Sequence, residues 1–381
     1  MIKKFNPQKT KILKFLNFVL SIFFHKKKSD SIIDIKKCKK ILIIDPTLIG
    51  DIVMLIPFLR IIRKNTKDAK ITLVCNKWAK DILHNQGLID GFIFVDSKIL
   101  NSPWAFIRNI RYLKTVYREI NREEYDVSIE PRGDLRYILF MHYCRAKRKV
   151  SYNYTGGERL LTDIIIPSNT VKHLVEDKLF LAQKIGCDYE ESDKYPKLYL
   201  DDDEIEENDR YKLEHQLIGK TIIGIHPGAS LEIKQWKHFD RLLERLNNEN
   251  TVFIIFEGPK EEEAVARVRN SAISVKAQFI TSKTDIRTYV RRLAICNLLI
   301  CNDSGAGHIA AALGVPTCVI FGPIDPELAK PYVENEFEKL RIISKELECK
   351  PCLSTSCKHN KECIDGVTTE EVFTKVMSLL D

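Results

Sequence analysis

CNDSGAGHIAAALGVPTCVIFGP, residues 301–323, sets small polar residues between two apolar runs and follows them with an alanine-rich stretch. The first run, LLIC, reads as a buried strand. Asp303, Ser304, Gly305, Ala306 and Gly307 then make a turn, and HIAAALG reads as a helix whose alanines allow close packing on a sheet. Gly314, Val315 and Pro316 turn the chain into a second strand, TCVIFGP. Strand, turn, helix, strand is the unit of a parallel sheet, and exposed amides at such a helix start form an anion site. His308 sits one turn into that helix.

The same rhythm runs in both directions from this stretch. Towards the amino end, TIIGIHPGAS, FDRLLERLNN, TVFIIFEGP, EEEAVARVRN and DIRTYVRRLAICN alternate strand-like with helix-like segments. An earlier cycle begins near residue 40 with KILIIDP, IVMLIPFLRIIRKN, AKITLVCN, FIFVDS, a helical stretch from about Trp104 to Arg122, and YDVSIEP. The acidic stretch LDDDEIEENDRYKLEHQ, residues 200–216, lies between the cycles and reads as the connection, part linker and part first helix of the second half. The expected organisation is a basic segment over 1–39, an α/β lobe over 40–200, a linker over 201–219 and a second α/β lobe over 220–381. Lobes of roughly 150 residues are ordinary domain size, and a ligand is expected in a cleft at the carboxyl ends of the strands.

Three further turns carry candidate chemistry. In LIGDIVMLIP, residues 48–57, Gly50 and Asp51 stand between a strand and a helix; Asp51 either caps the helix or faces the ligand. In PGASLEIKQW, residues 227–236, Ser230 belongs to a small-residue strand exit and Lys234 supplies a nearby cation, as a diphosphate requires. In FEGPKEEE, residues 256–263, Glu261 and Glu262 fall in the first turn of a helix; the dipole favours them there, and one of them can also meet ribose hydroxyls. Neither G-x-G-x-x-G nor a P-loop is present.

The 381-residue chain carries a net charge of +8, but residues 1–40 hold twelve lysines, no arginine and two aspartates, which leaves the rest slightly acidic. Nucleic-acid binding by the body is therefore not expected. Within the basic segment, KILKFLNFVLSIFFHKKK, residues 11–28, has an apolar stretch from Ile12 to Phe24 interrupted by Lys14, too short to span a bilayer. At 100° per residue Thr10, Lys11, Lys14, Asn17 and Ser21 share a narrow stripe. An amphipathic helix on an anionic membrane surface has this pattern, as does a helix packed on protein; the HKKKSD that follows excludes a signal-peptide cleavage site.

Eleven cysteines without an export signal suggest a reducing compartment. Seven are scattered. Cys349, Cys352, Cys357 and Cys363 cluster in CKPCLSTSCKHNKEC, a spacing that suits a structural metal, disulfides or plain thiols alike.

Taken together, LIGDIVMLIP, PGASLEIKQW and NDSGAGHIAAALGVPTCVIFGPIDP, in this order and with the Cys-rich tail, resemble glycosyltransferase family 9, the heptosyltransferases of lipopolysaccharide assembly. The resemblance implies the GT-B fold, two Rossmann-like lobes with parallel sheets facing a central cleft. It implies inverting transfer of a heptose from an ADP-activated donor to a lipopolysaccharide-core or other anionic glycan acceptor. No catalytic metal or cofactor is implied, and the expected place is the inner face of the cytoplasmic membrane. Carried onto this chain, Asp51 is the general base, and Lys234 with the Ser304, Gly305 and Ala306 amides holds the diphosphate. Asp303 orients sugar hydroxyls, His308 lies near the phosphates or supports the loop, Ser230 belongs to the donor site, and Glu261 or Glu262 meets the ribose. Family members often carry a basic residue where this chain has Asp45, which bears on the acceptor. Arg132 and Arg136 in EPRGDLR, and the cluster Arg145, Lys147, Arg148 and Lys149, are candidate acceptor contacts, the cluster being a solvated turn on the alternative reading. Another nucleotide-sugar donor, a sugar epimerase and a non-catalytic membrane-bound scaffold are the competing functions.

Overall fold

The computed structural model describes residues 7–23, 33–100, 102–352, 354 and 356–380. The chain divides into two units, Met1–Lys194 and Tyr195–Asp381. The first is built on β1 (Lys40–Ile44), β2 (Lys70–Cys75), β3 (Gly91–Phe94), β4 (Tyr125–Glu130), β5 (Ala146–Tyr152) and β6 (Asp163–Ile165). These form one sheet in the order β3-β2-β1-β4-β5-β6, with every neighbouring pair parallel.

The second unit repeats that winding. Its strands are β7 (Thr221–His226), β8 (Thr251–Phe256), β9 (Gln278–Ser282), β10 (Leu298–Asn302), β11 (Thr317–Phe321) and β12 (Leu340–Ser344). They are ordered β12-β11-β10-β7-β8-β9, all parallel. Both units therefore have the Rossmann order, and in each the direction of winding reverses between the first and fourth strands. Those points, β1/β4 and β7/β10, are where a ligand is expected.

Central strands are apolar throughout because helices cover both faces: TVFIIF of β8 and LLICN of β10 are wholly buried. The helix Ile49–Asn65 is buried on nearly every side from Ile52 to Leu59, whereas others bury one stripe. Phe239–Leu246 inserts Phe239, Leu242, Leu243 and Leu246, at i, i+3, i+4 and i+7. In Gly305–Ala312, Gly307 has Cys301 and Val319 within 3.1 and 3.2 Å of where a Cβ would stand, so this helix sits close on β10 and β11.

The structure refines several expectations. The helix expected from Trp104 to Arg122 is two, Pro103–Arg108 and Ile110–Ile120, joined at Asn109. Most of the acidic stretch is the helix part of its reading, Asp202–Glu214, whose amino end is capped by Asp201; Glu204 pairs with Arg287 and Glu207 with Arg291 inside the second unit. The cluster Arg145–Lys149 is no solvated turn. It lies at the amino end of β5, where Lys147 pairs with Asp126 and Arg148 with Asp163, at the opposite end of the strands from the turns described below. The run of charge hides a strand, because Lys147 and Arg148 each have a carboxylate on a neighbouring strand.

The amino-terminal helix, α1 (Pro7–Phe23), is formed. Leu13 packs against the core of the first unit, and Asn17 donates to Glu158 at 3.0 Å and accepts from the Gly157 amide at 2.7 Å. Phe24 and the His25–Lys28 run lie outside the described residues, as does the side chain of Ser21.

Candidate active site

In the first unit the candidate residues converge at the β1/β4 point. The chain leaves β1 at Ile44, and Asp45 is buried, with Thr47 donating its hydroxyl to the carboxylate. The helix Ile49–Asn65 then begins, and Asp51 in its first turn accepts the Leu48 amide at 3.4 Å. Asp51 therefore does serve its helix start, but its main partner is elsewhere. Arg132, from the turn after β4, places Nη1 3.0 Å from Asp51 Oδ2.

That turn is held from beneath by Glu130. The Glu130 carboxyl accepts from the Gly133 amide at 2.7 Å, the Arg132 amide at 3.2 Å and the Ser151 hydroxyl of β5 at 2.6 Å. Gly133 has φ +75°, and a Cβ there would stand 2.7 Å from Tyr154 and 2.8 Å from Tyr152, so only glycine fits. Arg136 is anchored on the fully buried Asp134 by Nε–Oδ1 and Nη2–Oδ2 contacts of 2.9 and 2.5 Å. Arg132 and Arg136 thus flank one turn, and Arg132 is the one that reaches the proposed base.

The carboxyls of this site are pushed in different directions. Burial drives Asp45 up to about 6, against the Lys178 charge and the Thr47 hydrogen bond. Burial also works to raise Asp51, but the Arg132 and Lys178 charges and the hydrogen bonds from Arg132 and Leu48 outweigh it and hold that carboxyl below its ordinary range. Asp51 is therefore the carboxyl held more firmly in its ionised form, the form able to take a proton. Lys178, buried on the helix Leu174–Lys184, completes the charge balance.

Glu130 is driven up to about 8 by burial, despite its donors. A raised folded-state value means that the unfolded chain loses this proton first, so stability declines as pH rises from about 4.5 to about 8. Glu130→Gln is expected to remove that decline. Chemical denaturation at pH 5 and pH 9 should show wild type losing on the order of a few kcal/mol more than the variant across this interval.

In the second unit the candidates meet at the β7/β10 point. Asn302, the last residue of β10, is fully buried and joins the two loops: its amide donates to the Pro227 carbonyl at 2.9 Å and its oxygen accepts the Trp236 amide at 3.0 Å. Trp236 is itself buried, with Nε1 on the Val367 carbonyl at 2.8 Å. Lys234, lying between these anchors, is brought to Asp303, with Nζ 2.6 Å from Oδ2. The helix Gly305–Ala312 starts there. Ser304 occupies its N-cap with no capping bond, and among the described residues its buried hydroxyl has no hydrogen-bond partner. A cation, an orphan hydroxyl and open helix amides in one place suit a phosphate. Ala306 and His308 are buried within the same helix, and Ser230 is exposed on the loop after β7.

The two glutamates separate cleanly. Glu261 turns inward, accepting the Gly258 amide at 2.8 Å and facing His226 Nε2 at 3.4 Å, and its carboxyl lies over Gly228, where a Cβ would stand 1.9 Å away. Burial opposes its ionisation, but His226 and the Gly258 amide hold it below the ordinary glutamate range. Glu262 is exposed and pairs loosely with Lys283 at 3.5 Å. His226, backed by the Tyr289 hydroxyl at 3.0 Å, and Asn302 stand at the strand ends inside the quoted motifs, and the sequence alone assigns neither a role.

No disulfide joins the tail cysteines: Cys363 is buried, and Cys357 Sγ accepts the His359 and Lys361 amides at 3.3 Å each. Among the described residues no three of the tail sulfurs lie within 4.8 Å of one another.

Comparison with known proteins agrees with this fold. A family model described as glycosyltransferase family 9 (heptosyltransferase) matches residues 113–362. The lipooligosaccharide heptosyltransferase 2 of Campylobacter jejuni is 26% identical over 356 residues, covering 90% of this chain and 98% of that protein. The lipopolysaccharide heptosyltransferase 2 of Salmonella typhimurium is 23% identical, with the same two coverages. Among solved structures, a family 9 glycosyl transferase from Veillonella parvula superposes with TM-score 0.75 at 21% identity, covering 92% of this chain and 99% of its own. ADP-heptose lipopolysaccharide heptosyltransferase II of E. coli gives 0.71 at 20%, covering 90% and 98%. Both likenesses concern the fold, which is GT-B. With the family model spanning well over half of its residues, the chain belongs to glycosyltransferase family 9.

Proposed function

We propose that this glycosyltransferase moves a heptose from an ADP-activated donor to an anionic glycan of the lipopolysaccharide-core type, with inversion at the anomeric carbon. The observation that carries the reading is the β7/β10 point, where Lys234, the orphan Ser304 hydroxyl and the Gly305–Ala312 helix start converge beside Asp303. The diphosphate of the donor needs these groups as it leaves the sugar. The acceptor hydroxyl attacks the anomeric carbon, its proton passes to the Asp51 carboxylate, and the bond to the diphosphate breaks with its electron pair on ADP. Charge building on the leaving oxygens is met by Lys234 and the helix amides. Asp303, released from Lys234 by the incoming phosphates, is placed for sugar hydroxyls. Arg132 and Arg136 serve an anionic acceptor, and the basic amino-terminal segment sets the enzyme on the inner face of the membrane that carries it. No helix among the described residues is long and apolar enough to cross a membrane.

Transfer assays with ADP-, UDP- and GDP-sugars and mass spectrometry of the product test the proposal; turnover of a UDP- or GDP-sugar in preference to the ADP-sugar would overturn the donor. The ribose assignment has its own test. Glu261→Ala should weaken ADP binding about tenfold, the loss of one charge-assisted hydrogen bond, whereas Glu262→Ala should leave it unchanged. Equal effects in calorimetric titration would exclude Glu261 as the discriminating contact.

A further inference from the structure

We propose that the outward face of α1 is a lipid-contact surface, which seats the first unit on an anionic bilayer and fastens the acceptor-side turn to it. The inference rests on the membrane placement above and assigns it to particular residues. A helix packing on its own protein buries its apolar stripe. Here the order is reversed: Leu13 and Asn17 face inward, while Ile12, Phe15, Phe18 and Ile22 are 68%, 69%, 64% and 63% exposed and Leu16 is 39% exposed.

At 100° per residue these five side chains cover about half of the helix circumference, opposite Leu13 and Asn17. Lys11 and Lys14 lie exposed towards one side of that face. Charge settles the occupant. The first 40 residues carry twelve lysines against two aspartates, and His25–Lys28 follows the helix directly in sequence. An apolar face bordered by lysine is complementary to anionic headgroups over acyl chains; a second copy of the same basic segment would meet like charge.

The attachment is what makes the surface more than an anchor. Asn17 is held by Gly157 and Glu158 in the turn that follows β5. Gly156, with φ +114°, has the Asn17 side chain within 2.5 Å of where a Cβ would stand, so glycine lets the helix seat there. Thr155, next in that turn, accepts the Leu135 amide at 2.7 Å and donates its hydroxyl to the Gly133 carbonyl at 3.1 Å. Gly133 and Leu135 belong to the turn that carries Arg132. The lipid-facing helix and the acceptor-side arginine therefore hang on neighbouring hydrogen bonds.

The experiment uses the full chain with phosphatidylcholine vesicles containing or lacking phosphatidylglycerol, read by co-flotation, and compares lipid-linked with soluble acceptor. Wild type should float with the anionic vesicles, and Ile12→Glu with Phe15→Glu should lower that binding about tenfold or more while sparing turnover of soluble acceptor. Asn17→Ala and Gly156→Ala should keep vesicle binding, lose several-fold turnover of vesicle-borne acceptor, and keep soluble turnover.

Failure is resolvable. If wild type floats and the double variant floats equally, the α1 face is overturned while the membrane placement stands on the lysines. If wild type floats with neither vesicle, the placement itself falls. A double variant that changes only the oligomeric state would assign the face to a second copy and overturn the proposal. Unaltered vesicle-borne turnover in both Asn17→Ala and Gly156→Ala would overturn the fastening.

Discussion

Asp51→Asn is expected to lower kcat by about 10³-fold or more, within the range of a lost general base, with far-ultraviolet circular dichroism and ADP affinity unchanged. The substitution keeps the size of the side chain and its acceptor oxygen for the Leu48 amide, 3.4 Å away in the wild type. It removes the one property the reaction uses, a lone pair that can hold a proton at neutral pH. Because ADP is proposed to meet residues of the second unit only, its affinity is the control that separates loss of chemistry from loss of fold. Wild-type turnover in this variant would remove Asp51 as base.

The pH dependence follows with a definite sign. Asp51 is held below the ordinary aspartate value by Arg132 and Lys178 in spite of burial. A base acts when deprotonated, so activity is present above its folded-state value and is lost as pH falls through it; from Asp51 alone, the acid limb of kcat/KM should lie below the ordinary aspartate range. A break near pH 6 would instead track Asp45, the neighbour that burial raises to about 6. The same profile on Asp45→Asn decides which carboxyl is being read.

Much of this architecture is legible in the amino-acid sequence. Alternation of apolar and amphipathic stretches reveals the doubly wound sheets, and the small residues at Gly50–Asp51, Pro227–Ser230 and Asp303–Gly307 mark the turns, since only such residues let a helix start close to a strand end. The contacts that organise the turns are not legible. Lys234 and Asp303 are 69 residues apart, and pairing at that distance is set by strand order, which periodicity does not encode. Nothing in YDVSIEP reveals that Ser151 of the neighbouring strand and the Gly133 amide enclose Glu130. Glu261 and Glu262 are adjacent on a helix start, and nothing in the sequence chooses between them; the absence of a side chain at Gly228 makes the choice.

Lys234→Ala is expected to weaken ADP and donor binding by about 10- to 100-fold, the loss of one or two charge-assisted hydrogen bonds to a diphosphate. Part of that loss is not the missing attraction. In the protein Lys234 Nζ stands 2.6 Å from Asp303 Oδ2, with both side chains largely buried. Removing the lysine leaves a shielded carboxylate that repels the diphosphate as well as losing its own partner. The two contributions separate in a double-mutant cycle. Asp303→Asn added to Lys234→Ala should recover part of the ADP affinity, because the repulsion goes with the charge, while heptose transfer stays low for want of both the cation and the sugar contact. If Asp303 instead acts only through Lys234, the double variant binds ADP no better than Lys234→Ala. Unchanged affinity in Lys234→Ala would move the diphosphate site away from the β7/β10 point, and with it the orphan Ser304 hydroxyl would lose its proposed partner.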